Sequence, residues 1–412
     1  MSISVTLFSR PQVIVSSFRS LVSKREFARA IFAPLIQLKS FDHTATRRAI
    51  SGGCRAQWTS AAEMVKVKAI KVNQVGGPEA LSWEDIEVGE PGEGQVRIRH
   101  TAIGLNFIDV YFRTGVYKSA VPFIPGMEAA GVVTAVGPGL TGRKVGDRVA
   151  YAGVMGAYCE ERLISADKLV PLPSSVDDVT AAAVLLKGMT AQFLLRRCFK
   201  NSGVSLGCDS ELAPLGAFLE NLVERGHAVL VHAAAGGVGS LLVQWAHALG
   251  ATVIAAVSTE DKAAQAKEDG ADHVLIYSKE DFATRVKEIT NGAGVQVVYD
   301  SVGKDTFQGS LDALAVRGYF VSYGQSSGMI DPMPVQALAP KSLFLTRPSM
   351  MAYTSTRDEL LSSAGEVFAV ISEGILKIRV NQTYPLAQVS QSHSDLEARK
   401  TSGSTVLTVD SA

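Results

Sequence analysis

The sequence has few of the features that mark several classes of protein. Its four cysteines include no pair spaced as Cys-x-x-Cys: Cys54, Cys159, Cys198 and Cys208. That spread argues against a disulfide framework and against a four-cysteine zinc site. Forty basic residues balance forty acidic ones, so no overall charge attracts nucleic acid. Because no uninterrupted apolar run reaches the ~18 residues of a membrane span, we expect a soluble protein.

The composition that remains is typical of a globular protein. Hydrophobic residues make up 47% and charged residues 19% of the 412 residues. A chain of this length and composition has room for two or three domains, each with its own core.

The first 63 residues differ in composition from the rest of the chain. They are rich in Arg, Ser and Ala, and their only acidic residues are Glu26, Asp42 and Glu63. This composition is typical of a transit peptide, so we expect import into a chloroplast or a mitochondrion. The alternative is an extension without a targeting role, which would leave the protein in the cytoplasm.

The hydrophobic pattern divides the remainder into two domains. Short alternating runs with turn residues between them, such as Val65–Val72, predict a β-rich, barrel-like domain. From Ala228 to Tyr323 strands alternate with helices, which predicts a doubly wound parallel sheet. We therefore predict an α/β protein in which a cofactor domain (190–344) is inserted into a substrate domain (64–189 and 345–412). The site is expected in the cleft between them.

One segment does not fit this plan. Residues 201–222 separate a helix from the first strand of the cofactor domain, where connections are usually ~2–6 residues long. The segment is either a surface loop or a translated piece of intron. We favour the intron because the elements on both sides otherwise join directly.

A glycine-rich turn lies at the start of the cofactor domain. The run Ala228–His232 is followed by small residues and then by a helical pattern, which predicts a strand, a tight turn and a helix. Ala233, Gly236 and Gly239 keep the spacing of the dinucleotide fingerprint, although Ala stands in its first position. Such a turn directs backbone N–H groups toward a pyrophosphate.

The end of the next strand indicates which dinucleotide is bound. NAD sites place an acidic residue there, whereas this strand ends in Ser258 and Thr259, and Lys262 follows. A hydroxyl and a cation suit a 2′-phosphate, so we predict NADPH. Glu260 and Asp261 weaken this inference unless, as we expect, they point outward from the first turn of a helix.

Five motifs occur in the same order as in one known family. They are His232–Gly239, Asn106–Tyr111, Gly146–Val149, Tyr299–Gly303 and Gly324–Gly328. Together they resemble the zeta-crystallin-like NADPH:quinone oxidoreductases, a zinc-independent branch of the medium-chain dehydrogenase/reductase superfamily. The resemblance covers about 68–409, apart from 201–222. It implies a GroES-like substrate domain, a Rossmann cofactor domain and a homodimer.

The resemblance also implies roles for individual residues. The pyrophosphate turn would be Gly236, Gly237, Val238 and Gly239, and the 2′-phosphate group Ser258, Lys262, Tyr277 and Arg399. The nicotinamide would lie against Thr190 and the loop residues Gly324, Gln325 and Ser327. Tyr111 and Asn106 would be catalytic, with Tyr111 as proton donor, and Tyr117 would face the substrate. Asn106 has a structural alternative as a helix cap.

The same comparison bears on metal chemistry. The zinc alcohol dehydrogenases of the superfamily carry His where Met127 stands, and their early cysteine falls near Asn106. Since a catalytic zinc needs about three protein ligands, we predict no zinc. Glu128 is then interpreted as a hydrogen-bonding residue.

The function that follows is NADPH-dependent, zinc-independent reduction of quinones, by hydride or by single electrons. One alternative is an NADPH-dependent alkenal or enoyl reductase, which acts on other α,β-unsaturated carbonyl compounds (enones). A second is a non-catalytic NADPH-binding or RNA-binding protein of crystallin type. The balanced charge of the chain argues against RNA.

Overall fold

The computed structural model describes residues 64–198 and 223–409. The predicted leader and the predicted insertion at 201–222 lie outside these residues.

Two β-sheets form the substrate-side part of the fold. β1 and β2 pair as an antiparallel ribbon, and a seven-stranded sheet has the order β14-β15-β3-β4-β5-β7, with β6 also paired to β3. Along β3 the buried residues alternate at first with exposed ones, which is why the sequence shows a period of two. The strands are β1 Val65–Val72, β2 Leu81–Val88, β3 Gln95–Leu105, β4 Glu128–Val136, β5 Arg148–Ala152, β6 Glu161–Ser165, β7 Val170–Pro171, β14 Val380–Pro385 and β15 Ser404–Thr408.

A six-stranded parallel sheet forms the second part. Its order is β10-β9-β8-β11-β12-β13, so the chain reverses direction across the sheet between β8 and β11. Ligands of open α/β sheets bind at such a switch point, beyond the carboxyl ends of the strands. The strands are β8 Ala228–His232, β9 Thr252–Val257, β10 His273–Ile276, β11 Val295–Asp300, β12 Leu314–Ser322 and β13 Phe344–Thr346.

Nine α-helices connect and cover these sheets in the described part of the chain. They are α1 Phe107–Arg113, α2 Asp178–Phe193, α3 Gly237–Ala248, α4 Glu260–Glu268, α5 Phe282–Ile289, α6 Phe307–Ala313, α7 Met350–Tyr353, α8 Arg357–Ser372 and α9 Val389–Glu397. The α/β class and the two-part architecture agree with the prediction. The predicted bounds of β8 match residue for residue, whereas β2, α8 and β14 were not predicted. The predicted domain boundary after residue 344 falls within β13.

The helix α2 lies at the centre of the molecule. With the π-helical turn Leu194–Cys198 it forms 21 residues that are long and apolar enough to cross a membrane, but 78% of the most apolar window is buried inside the fold. It packs against β3 and β4 and also against α3 and α8. Its apolar composition is therefore that of a core helix joining the two sheets.

Candidate functional site

A cleft of about 1060 Å³ is lined by residues from both parts of the fold. It brings together thirteen of the predicted site residues: Asn106, Tyr111, Tyr117, Thr190, Gly236, Gly237, Val238, Gly239, Ser258, Lys262, Tyr277, Gly324 and Arg399. The two remaining predicted residues, Gln325 and Ser327, do not line it.

The glycine turn lies between β8 and α3. Ala233 takes the place of the first fingerprint glycine and adopts a left-handed φ of 49°, a conformation that is strained for a residue with a side chain. A Cβ on Gly239 would lie 2.2 Å from the Ala233 carbonyl oxygen, so only glycine fits where helix and strand meet. The Gly403 amide donates to the Ala235 carbonyl oxygen at 2.8 Å, which holds the turn from outside. The free N–H groups at the start of α3 therefore face a fixed anion site.

A group of polar side chains lies beyond the end of β9. The Lys262 ammonium donates to the Arg399 carbonyl oxygen at 2.8 Å. Burial, and secondly the nearby Arg399 charge, lower the pKa of Lys262. Glu260, whose charge weakened the NADPH prediction, forms an ion pair with Lys279. Lys279 also lines the cleft and was not predicted. Glu260 is thus paired with a cation, and Lys262 forms no such pair in the described part of the chain.

Asn106 is both a cap and a cleft residue. Its backbone N–H donates to the Asp109 carboxylate at 2.9 Å, in a capping box that starts α1. Its amide nitrogen donates to Glu128 Oε2 at 2.9 Å and to the Gly104 carbonyl oxygen at 3.2 Å. Both hydrogens of the Asn106 side-chain amide thus bond within the protein. Neither is free to assist Tyr111 in donating a proton to the acceptor.

A buried ion pair connects Asn106 to the glycine turn. Lys187 Nζ lies 3.1 Å from Glu128 Oε2, and the two side chains are 6% and 0% exposed. The Leu186 amide donates to Glu128 Oε1 at 2.6 Å, so hydrogen bonds satisfy both carboxylate oxygens, as the interpretation of Glu128 required. The Lys187 stem runs beneath the turn, since a Cβ on Gly237 would lie 2.7 Å from Lys187 Cδ.

Tyr111 and Tyr117 form the aromatic wall of the cleft. Their ring centroids are 5.1 Å apart. The Gln325 backbone N–H donates to Tyr111 Oη at 2.8 Å. Burial raises the pKa of Tyr111 to about 12. Because the hydroxyl accepts from the backbone, its own proton is free to be donated into the cleft.

The loop after β12 places two predicted residues, Gln325 and Ser327, behind the cleft lining. Gln325 acts through its backbone N–H on Tyr111 rather than by lining the cleft. The Ser327 hydroxyl donates to the Val302 carbonyl oxygen at 2.8 Å and accepts from the Asp305 amide at 3.0 Å. Ser327 therefore fixes the loop, and Ser326 lines the cleft in its place.

Thr190 and Arg347 border the same part of the cleft. The Thr190 hydroxyl donates to the Leu186 carbonyl oxygen at 2.7 Å, within α2. Arg347, which the sequence did not single out, donates to the Ser322 carbonyl oxygen at 3.0 Å and to Tyr117 Oη at 3.3 Å. No motif surrounds Arg347, so only the fold reveals its position.

Metal binding and hydrolysis both depend on groups of polar side chains held close together. Within 64–198 and 223–409, no three His, Cys, Asp or Glu side chains are grouped so as to hold a metal ion. His232 Nε2 lies 3.0 Å from Ser310 Oγ, and that hydroxyl donates to Asp300 Oδ2 at 3.1 Å. This serine–histidine–aspartate group was not expected. All three residues are 0% exposed, so a substrate does not reach them and their role is structural.

The chain matches two protein-family models. The alcohol dehydrogenase GroES-like domain matches residues 92–174, and the zinc-binding dehydrogenase model matches residues 237–364. Among curated relatives, a quinone oxidoreductase of Pseudomonas aeruginosa is 45% identical over 343 residues, covering 82% of this chain and 99% of the relative. A 2-haloacrylate reductase of a Burkholderia species is 45% identical over 350 residues, covering 83% and 98%.

Solved structures give the same result. The Escherichia coli quinone oxidoreductase complexed with NADPH is 41% identical and superposes with a TM-score of 0.76, covering 83% of this chain and 99% of that one. A 2-haloacrylate reductase structure is 44% identical with a TM-score of 0.70, covering 84% and 100%.

Proposed function

This chain belongs to the quinone oxidoreductases of the medium-chain dehydrogenase/reductase superfamily, and from that premise we propose that it reduces quinones with NADPH. One observation carries the proposal. The Tyr111 hydroxyl is fixed by the Gln325 N–H at 2.8 Å, in the cleft that also contains the glycine turn. A proton donor and a dinucleotide site thus share one enclosed space.

The residues of the cleft fit NADPH. The start of α3 and Gly236 would hold the pyrophosphate, and Lys262, Ser258 and Arg399 would hold the 2′-phosphate. The left-handed Ala233 and the lack of room at Gly239 support this assignment, because both keep the turn close to the strand. When bound, NADPH supplies the reducing equivalents, as hydride or as single electrons.

The protein's own contribution is to orient the acceptor and to donate a proton. Because burial raises the pKa of Tyr111 to about 12, the side chain stays protonated at neutral pH and donates to the oxygen of a reduced quinone. Tyr117 packs against Tyr111 and offers an aromatic face to a flat acceptor.

A second candidate is the reduction of α,β-unsaturated carbonyl compounds. The relative named 2-haloacrylate reductase favours it, since it is as similar to this chain as the quinone oxidoreductase of Pseudomonas aeruginosa. Tyr111 would then donate its proton to the carbonyl oxygen or to the α-carbon of the acceptor.

We further propose that the chemistry needs no zinc. Met127 is buried at the edge of the cleft, where a thioether is a poor partner for zinc compared with histidine or thiolate. The Asn106 amide is already bound to Glu128 and Gly104.

A homodimer is proposed from the free edge of the parallel sheet. β13 is the last strand of that sheet, and its Phe344 and Leu345 are 49% and 43% exposed. An exposed apolar edge strand is suited to pairing with a second copy. Analytical ultracentrifugation would show twice the chain mass, and the Leu345→Pro variant would sediment as a monomer.

Import into an organelle is likewise proposed, and it is tested by locating a fluorescent fusion of residues 1–70.

The function is tested by following NADPH and NADH oxidation with 1,2- and 1,4-quinones, 2-alkenals and an enoyl-CoA. We expect quinone turnover with NADPH. Lys262→Ala should raise the KM for NADPH about 10-fold or more, through loss of a charge-assisted bond. Lys267→Ala, on the exposed side of α4, is the matched control. Tight NADPH binding with no turnover on any acceptor would instead support a non-catalytic protein.

A further inference from the structure

Five cationic side chains line the cleft, and they differ in their partners. Three form ion pairs with acidic residues: Lys187 with Glu128, Lys279 with Glu260 and Arg399 with Asp305. The other two, Lys262 and Arg347, form no ion pair with any acidic residue that the structure describes. Lys262 lies where the 2′-phosphate of the cofactor is proposed to bind. Arg347 lies at the substrate end of the cleft, beside Tyr117. At that end the cofactor has no phosphate that could pair with the guanidinium.

The Arg347 side chain is held in place by neutral acceptors. It donates to the Ser322 carbonyl oxygen at 3.0 Å, to Tyr117 Oη at 3.3 Å and to Gln325 Oε1 at 3.4 Å. These three bonds use at most three of its five N–H donors. The guanidinium thus has donors to spare, while these three hydrogen bonds restrain an otherwise exposed side chain. A fixed guanidinium loses less entropy on binding an anion than a freely moving one.

We propose that Arg347 binds a carboxylate of the acceptor, and that carboxylate-bearing enones are therefore preferred substrates. This inference rests on the proposed function, because it assigns a substrate class to the same cleft. A carboxylate pairs its charge with a guanidinium and can accept two parallel bonds from it, whereas a neutral quinone oxygen brings no opposite charge.

The reaction balances without any further reactant. The acceptor's C=C bond gains a hydride from NADPH on the carbon β to its carbonyl and a proton from Tyr111 on the α-carbon. NADPH becomes NADP⁺, and water returns the proton to Tyr111. The product is the saturated keto acid. Arg347 takes no part in the transfer of hydride or proton; it orients the acceptor by its carboxylate.

A pair of acceptors that differ only in charge tests the proposal. For the full-length protein with NADPH, we expect kcat/KM to be higher for 4-oxo-2-pentenoate than for its methyl ester. Arg347→Gln should lower the acid-to-ester ratio about 10- to 100-fold. Arg347→Lys, which keeps the charge but not the forked geometry, should give an intermediate ratio. Lys66→Gln removes the same charge on β1, far along the chain, and should leave the ratio unchanged.

A binding measurement separates this inference from the proposed function. The saturated acid 4-oxopentanoate, titrated calorimetrically into the NADPH-loaded protein, should bind more tightly than its methyl ester, and Arg347→Gln should abolish the difference. If quinones are reduced but Arg347→Gln leaves both the ratio and the binding difference unchanged, the inference is wrong and the proposed function stands. If no acceptor is reduced, the proposed function fails and the titration alone decides the role of Arg347.

Discussion

Single side chains in this cleft serve structure and function together. The Asn106 backbone N–H begins α1 by donating to the Asp109 carboxylate, while the side-chain amide donates to the buried Glu128. Tyr111 lies one turn later on the same short helix. Capping therefore determines where the tyrosine points, because a helix that began one residue later would rotate Tyr111 by about 100°.

Replacing Tyr111 by phenylalanine tests the proton donor. We expect kcat with a quinone to fall about 10-fold or more, since general acid catalysis typically contributes ~10²–10⁴-fold, while the KM for NADPH changes little. Steady-state kinetics measures both. Tyr384→Phe is the control, because that hydroxyl binds Asp395 and is not part of the cleft. Unchanged turnover in Tyr111→Phe would remove this residue from the mechanism.

Among the elements, the glycine turn is the most constrained. Its first residue is left-handed, its last has no room for a side chain, and Gly403 holds it from outside. These constraints come from two separate stretches of chain, the turn itself and the segment around Gly403. The alanine in the first position is tolerated because left-handed strain costs only ~1–2 kcal/mol, whereas a methyl group at the last position would overlap the backbone.

Gly239→Ala should therefore disrupt cofactor binding. Its Cβ would lie 2.2 Å from the Ala233 carbonyl oxygen, so strand and helix must separate and the N–H groups must move. We expect the affinity for NADPH, measured by fluorescence titration, to fall at least about 10-fold. Gly365→Ala in α8 meets no atom within 4 Å and should raise stability by up to ~1 kcal/mol, as expected for alanine in a helix. Equal effects of the two substitutions would contradict the proposed geometry.

A buried polar network joins α1 to α9. The Tyr158 hydroxyl donates to Asp109 Oδ2 at 2.8 Å and lies 3.1 Å from His393 Nε2. Since the tyrosine proton goes to Asp109, the histidine must donate from Nε2. Burial raises the pKa of Asp109 from 3.8 to about 7 and lowers that of His393 from 6.5 to about 3. Both groups are thus neutral in the fold at mildly acidic pH.

This network predicts a specific dependence of stability on pH. Between about pH 4 and pH 7, folded Asp109 keeps a proton that the unfolded chain has lost, so its contribution to stability falls as pH rises. Asp109→Asn removes this loss of stability with rising pH, and the new amide oxygen can still accept from the Tyr158 hydroxyl. We expect the difference in melting temperature, variant minus wild type, to rise across this range and to be flat outside it. His393 cancels in the difference, because both proteins contain it.

Across the whole molecule, local patterns were predictable from sequence and distant contacts were not. The glycine turn and the strand alternation follow from neighbouring residues in the sequence, whereas cleft residues such as Thr190 and Arg399 came only from the family resemblance. Arg347 contacts Tyr117 across 230 positions, and Arg113 binds Glu397 across 284; no periodicity contains such pairings. β14 was missed because its sequence, VNQTYP, has little apolar character and is defined by its pairing with β15.

The last prediction concerns the segment 201–222, which the sequence marked as out of place. Leu195, six positions before the segment, is in contact with Val223, directly after it, since the Val223 amide donates to the Leu195 carbonyl oxygen at 3.2 Å. Both residues are buried, and β8, which presents the glycine turn, begins shortly afterwards at Ala228. The path from α2 into the cofactor sheet is therefore closed without the intervening residues.

Deleting residues 201–222 should then leave a folded and active enzyme. A shorter connection between two residues already in contact lowers the entropy cost of closure by ~1 kcal/mol, so we expect an equal or higher melting temperature. NADPH oxidation with a quinone should stay within about twofold of the full chain. A variant in which Gly-Ser replaces the segment controls for strain at the new junction. If both variants lose NADPH binding while retaining a cooperative melting transition, the segment is needed to position the glycine turn, and the intron hypothesis fails.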